Sequence, residues 1–188
     1  MQEDKIVTIE NKKDEKSLRE KTAEFAFSER GELMMRGKKI TAQEISSLIL
    51  QMKKMMKLAN GIGLSANQIG LPYKLFIAQV PDKQGDYKFY AIFNPQLEKA
   101  SAGKVAVEEG CLSIPGIYGE VERHEQVTLR GFDKKGKPLK IKAWGLLARV
   151  FQHEVDHLNG KLFIDRTKVL YHAPASERLK EKEGRAEH

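Results

Sequence analysis

The sequence predicts an α+β fold, with antiparallel β-sheets packed around a central helix and an amphipathic helix nearer the N-terminus. Three observations predict it. A capping box at Thr41 opens a run of apolar residues at helical spacing. Segments between residues 74 and 143 are rich in β-branched and aromatic residues and are divided by turn signals. A second helical run begins near Leu146 and ends at Gly160. At 188 residues the chain is one domain of common size, and its 40% apolar content fits a soluble globular protein.

Residues 1–40 are polar. Within them Ile6, Val7 and Ile9 predict a strand start, Ser17-Leu18-Arg19-Glu20 the start of a short helix, and Gly31 and Gly37 turns flanking a hairpin over 32–40. Thr41-Ala42-Gln43-Glu44 places threonine at a helix cap and glutamate three residues on. Ile45, Leu48, Ile49, Met52, Met55 and Met56 then form the apolar face, Lys53, Lys54 and Lys57 the polar one, and the helix ends near Asn60-Gly61. Strands are expected over 74–80 and 87–94, joined by a turn at 81–85, and one or two more over 96–107. Ile114-Pro115-Gly116 is expected to break the chain. Residues 121–132 alternate, and Asp133-Lys134-Lys135-Gly136 is a hairpin turn into 139–143. A last short strand is expected over 161–165, and the charged residues 173–188 are expected to fray. No repeat or linker divides residues 1–188.

Composition narrows the function classes. No apolar run approaches the length of a membrane span. Glu3 and Asp4, with no apolar segment behind them, are unlike a secretory signal or a transit peptide. A single cysteine excludes an internal disulfide framework and suits a reducing compartment, so a cytoplasmic location is expected. The formal charge of +7 is spread over separate lysine clusters without interleaved aromatics. That pattern is expected of solvated faces and not of a specific nucleic-acid surface.

The chemistry is concentrated in Gln152-His153-Glu154-Val155-Asp156-His157. Positions i and i+4 share a helix face, so His153 and His157 can offer two imidazoles to one metal ion. Glu154, one step around the helix, can reach a water on that metal without being a ligand. A metal lowers the pKa of the water it binds to about 7, and a carboxylate beside it can take the proton. The same three residues can equally be ordinary polar residues of a buried helix. Asp156 can face outward as a surface carboxylate or support a ligand from behind.

Catalytic sites of this kind usually have three protein ligands. The one thiol, Cys111, is the candidate third, and Gly110 before it lets the backbone bend closely around a ligand. Gly61-Ile62-Gly63-Leu64-Ser65-Ala66-Asn67-Gln68 is a further glycine-rich stretch. It follows a helix and lacks the third glycine of a dinucleotide fingerprint. Its glycines permit close approach of a substrate backbone, and the Gln68 amide can donate to a developing oxyanion. Read alone it is equally a helix cap followed by a polar turn.

Those two stretches and Glu109-Gly110-Cys111-Leu112-Ser113, in this order, resemble the three signature motifs of the peptide deformylase family over roughly residues 40 to 165. The resemblance implies a metal-dependent hydrolase that removes the formyl group from the N-terminal formyl-methionine of nascent polypeptides. It implies one divalent metal, Fe(II) in cells with Zn(II), Ni(II) or Co(II) as substitutes, on Cys111, His153 and His157. It implies Glu154 as general base and then acid, and Gln68 with the backbone N–H of Leu112 as holders of the formyl oxygen. Ile62 and Gly63, with Gly110 nearby, would line the substrate groove, and Glu109 would pair with Arg123. Encounter with the ribosome is a further implied partner. The family usually has alanine where Ser65 stands. Serine is small, so this exchange is expected to do little harm. Substrate contacts near Tyr118 are not carried over, since family members often have a basic or other polar residue there.

Two other readings stand beside this one. A zinc endopeptidase shares His-Glu-x-x-His but takes a downstream third ligand, for which His172 and Glu177 are available. A non-catalytic protein with a structural metal would need a closed set of four ligands, and three are well placed.

Overall fold

The computed structural model describes residues 5–28, 33–35, 37–82 and 84–172. The third α-helix, α3 (Gly145–Leu158), lies at the centre. It is buried because one face carries Ala148, Val150, Phe151, Val155 and Leu158, which pack with Phe76, Ala78, Val80, Ile92, Val127, Leu129 and Ala143. Those partners come from a five-stranded antiparallel sheet. Its strands are β4 (Gly63–Ser65), β5 (Leu75–Pro81), β6 (Tyr87–Ala100), β9 (Gln126–Phe132) and β10 (Pro138–Trp144), in the order β10-β9-β6-β5-β4.

A second sheet joins β7 (Lys104–Cys111), β8 (Ile114–His124) and β11 (Leu170–His172) in the order β11-β8-β7. A third, small one joins β1 (Ala26–Phe27), β2 (Leu33–Met35) and β3 (Lys38–Lys39). Two helices precede the large sheets: α1 (Lys12–Arg19) and α2 (Ala42–Leu58). The Thr41 cap is reciprocal, with Glu44 N–H donating to Thr41 Oγ1 at 3.2 Å and Thr41 N–H to Glu44 Oε2 at 2.7 Å. Ile45, Met52, Met55 and Met56 of α2 are buried against Leu64, Leu75, Ile77 and Phe93.

Several local expectations need correction. Residues 6–9 form no strand, because their backbone donors go to two different segments: Val7 N–H to Gln68 O at 2.7 Å and Ile9 N–H to Ser113 O at 3.0 Å. The first helix does not start at Ser17. It begins at Lys12 under an Asn11 cap and ends at Arg19. Ile114-Pro115-Gly116 opens β8 instead of interrupting it, because Leu112 and Ser113 already make the reversal and Cys111 pairs with Ile114. Residues 161–165 are not a strand. Leu162 and Phe163 are consecutive and both fully buried, which an alternating strand cannot achieve with one face inward. A 3₁₀ turn over Phe163–Arg166 stands there, and the final strand is β11. The glycine-rich stretch is neither a phosphate loop nor a plain cap. It supplies β4 and then a 3₁₀ turn over Ala66–Ile69. Glu32, Glu177 and residues 173–188 lie outside the described residues.

Candidate metal centre

Helical spacing brings His153 and His157 onto one face of α3, with their Nε2 atoms 3.2 Å apart. Cys111 ends β7, where the register shifts just after Gly110, and its Sγ lies 3.1 Å from His157 Nε2. The ligand atoms of Cys111, His153 and His157 all fall within 4.8 Å of one another. Among the described residues this is the one group of three such side chains that converges.

The groups behind the ligands fix their orientation. Glu109, nearly fully buried, accepts from His153 Nδ1 at 3.0 Å, which orients the ring with Nε2 toward the sulfur. Glu109 also accepts from Arg123 Nε at 2.6 Å, Arg123 Nη2 at 2.9 Å and Arg149 Nη1 at 2.6 Å. Arg123 passes on to Asp156 at 2.6 Å, and Asp156 accepts two more bonds from Arg166. Asp156 is therefore a buried link in this chain of charges, and not a surface carboxylate. Arg149 further donates to the carbonyls of Val105 at 2.7 Å and Val121 at 2.9 Å, tying α3 to the second sheet.

Burial and the neighbouring charges move the titrating groups in opposing directions. Burial pushes the Glu109 carboxyl up, but hydrogen bonds from His153 and Arg123 override it and hold the group far below the usual carboxylate range. Burial lowers His153, yet its bonds to Cys111 and Glu109 prevail and raise it to about 10. Burial and the neighbouring His153 charge push His157 well below the ordinary histidine value. Burial raises Glu154. A thiolate and two imidazoles are a fitting donor set for a divalent transition metal.

Glu154 is buried on α3 beside His153, and its Oε2 accepts from Ser65 Oγ at 2.5 Å. Gln68 sits in the 3₁₀ turn with its amide fixed at both ends. Oε1 accepts from Ser65 N–H at 2.9 Å, while Nε2 lies 3.0 Å from Ser113 Oγ and 3.6 Å from Cys111 Sγ. Leu112 occupies the reversal between β7 and β8, and its side chain packs where a Cβ on Gly61 would be, 2.6 Å away. Ile62 is partly exposed, and its carbonyl accepts from Gln79 N–H at 2.8 Å. Gly63 and Gly110 are both cramped. A Cβ on Gly63 would collide with Glu154 Oε1, and one on Gly110 would collide with the ring of its register partner Tyr118. Gly110 is thus required by cross-strand packing on Tyr118. His172 is exposed in β11 opposite Ile117.

Sequence reasoning missed Arg149, Arg166 and Ser113, while of the two readings open for Asp156 the structure shows the buried, supporting one. Arg149 had a signal, because it stands four residues before His153 on the same helical face. Arg166 had none, since it reaches Asp156 only through the 3₁₀ turn.

Comparison with known proteins agrees with this geometry. The profile of the family described as polypeptide deformylase matches residues 6–172. A peptide deformylase of Rhodopirellula baltica is 42% identical over 123 residues, covering 65% of this chain and 61% of that protein. One of Syntrophobacter fumaroxidans is 39% identical over 143 residues, covering 74% of this chain and 84% of the relative. Among solved structures, peptide deformylase 1B of Arabidopsis thaliana, in complex with an inhibitor, superposes with a TM-score of 0.73 at 35% identity, covering 87% and 81% of the two chains. A class I type b peptide deformylase of Acinetobacter baumannii with Met-Ala-Ser bound gives 0.71 at 28% identity, covering 86% and 96%. The converging thiol and imidazoles, the carboxylate beside them and these likenesses together place the chain in the polypeptide deformylase family of metal-dependent hydrolases, which remove the N-formyl group.

Proposed function

We propose that this chain hydrolyses the formyl group from N-terminal formyl-methionine of nascent polypeptides, with Cys111, His153 and His157 holding one divalent metal. The observation that carries the reading is the meeting of the Cys111 sulfur with two Nε2 atoms beside a buried glutamate. Fe(II) is the metal we assign in cells, with Zn(II), Ni(II) and Co(II) as substitutes. A thiolate with two imidazoles suits all four. Such an ion, when bound, acts as a Lewis acid and makes its water a better nucleophile at neutral pH.

The remaining steps belong to this chain's own groups. Glu154 takes the proton of the attacking water and returns it to the amine nitrogen as the formyl C–N bond breaks. Burial raises its carboxyl, which suits a group that must hold that proton between the two transfers. Gln68 Nε2 and the Leu112 N–H donate to the formyl oxygen as it gains negative charge. Gln68 needs no reorientation, since Ser65 and Ser113 already fix its amide. Ile62 precedes β4 and Gly63 opens it, at the terminal strand of the five-stranded sheet, where an extended peptide can add alongside. Gly110, at the end of β7, is assigned to the same groove. We place the reaction in the cytoplasm, on chains leaving the ribosome. Among the described residues no helix is long and apolar enough to cross a membrane.

The test is anaerobic release of formate from formyl-Met-Ala-Ser by the Fe(II)-loaded protein. Formate and free Met-Ala-Ser are the expected products. Cleavage of an internal bond in an unformylated peptide, with no formate, would overturn the assignment in favour of an endopeptidase.

A further inference from the structure

The strand β4 meets Glu154 at both carboxylate oxygens. Ser65, its last residue, is completely buried. The Ser65 hydroxyl lies 2.5 Å from Glu154 Oε2 and 3.2 Å from the carbonyl oxygen of the same residue. A hydroxyl has one proton to give, and the charged, closer oxygen is the stronger acceptor. Gly63 is two residues earlier and so projects to the same face of the strand. A Cβ there would overlap Glu154 Oε1 and press on Val150 Cγ1 at 3.1 Å. The strand thus offers a donor to one oxygen and an empty volume to the other.

We propose that Ser65 and Gly63 are positioning residues for Glu154. Ser65 tethers Oε2, and Gly63 leaves room for Oε1, the oxygen that exchanges the proton. A glutamate side chain turns about three bonds, and burial alone does not choose among its rotamers. The hydroxyl supplies the missing restraint, and the missing Cβ keeps the selected rotamer free of contact. The Ser65 N–H meanwhile fixes Gln68 Oε1 at 2.9 Å, so one residue sets the orientation of two groups around the formyl carbon. On this view a serine here is not a silent replacement for alanine. The inference rests on the reading of Glu154 as the proton-transferring residue.

The test uses metal-loaded full-length protein and formyl-Met-Ala-Ser. Ser65→Ala is expected to lower kcat about tenfold, the effect of losing one charge-assisted hydrogen bond. KM and bound metal per chain stay at parental values. Gly63→Ala should lower kcat as well by displacing Oε1. Adding Ser65→Ala to Glu154→Gln should change the residual rate less than twofold, because the residue then has no carboxylate to hold. A merely structural serine would instead lower bound metal or leave kcat per bound metal unchanged, and any effect on rate would persist in the Glu154→Gln background. A kcat within twofold of the parent, or a loss matched by lost metal, overturns the proposal. If the parent releases formate and Glu154→Gln does not, while Ser65→Ala is unimpaired, this inference fails alone. If the parent releases none, both readings fall.

Discussion

Glu109 shows how one buried side chain can serve several partners at once. Its two oxygens accept from His153 and Arg149 of α3 and from Arg123 of β8. Removing one partner from such a set leaves a buried charge poorly compensated. Arg149→Ala should therefore weaken metal binding about 10–100-fold, the usual scale for groups that orient a ligand, measured by competition with a chelator. Glu154→Gln should keep its metal and lose about 10²–10⁴ in kcat, read as formate release. Cys111→Ser should lower metal affinity and change the absorption spectrum of the Co(II)-loaded protein. An unchanged spectrum would remove the sulfur from the ligand set. The histidine pair was legible in the sequence because i and i+4 spacing encodes a shared face directly. Arg149 carried the same signal, though its partner Glu109 lies 40 residues away. The small size of Ser65 is legible in the sequence, whereas the Glu154 oxygen that its hydroxyl meets on α3 is not.

At the scale of elements, α2 was the most legible, since its cap and apolar period are both local. Thr41→Ala should cost about 1 kcal/mol in urea unfolding. The Glu44 carboxyl is held below its usual value by the Thr41 N–H. A group depressed on folding adds stability above its unfolded pKa and loses it as pH falls through the folded one. The difference between the parent and Glu44→Gln should therefore be present at pH 7 and close below about 4.5. The end of α3 was legible too, as Gly160 has φ +73°. Its surroundings were not: a Cβ there would collide with the carbonyl of Arg19 at the end of α1. Gly160→Ala should destabilise by more than the conformational penalty alone, through separation of these two helix ends. The false strand at 161–165 and the false break at Ile114 share a cause. Strand boundaries depend on which neighbour supplies the ladder, and that neighbour is distant in sequence.

Across the whole molecule, the α+β class followed from element types, but the order β10-β9-β6-β5-β4 did not. Non-consecutive pairings such as β6 with β9 are fixed by burial against α3, which no local pattern records. The three candidate ligands join the end of the second sheet to α3, so metal should bind the folded form preferentially. Stripping it with a chelator should lower the thermal midpoint, and adding metal back should raise the midpoint with concentration. The residues before α1 add a further connection. Their donors at Val7 and Ile9 end on the Gln68 and Ser113 carbonyls, one bond to each of two loops that flank the centre. Ile6, Val7 and Ile9 also pack on the core, but a segment outside both ladders can detach while the sheets stay intact. Deuterium should therefore reach the amides of Val7 and Ile9 sooner than those of β5, and each such excursion briefly loosens the surroundings of Gln68 without any loss of global folding.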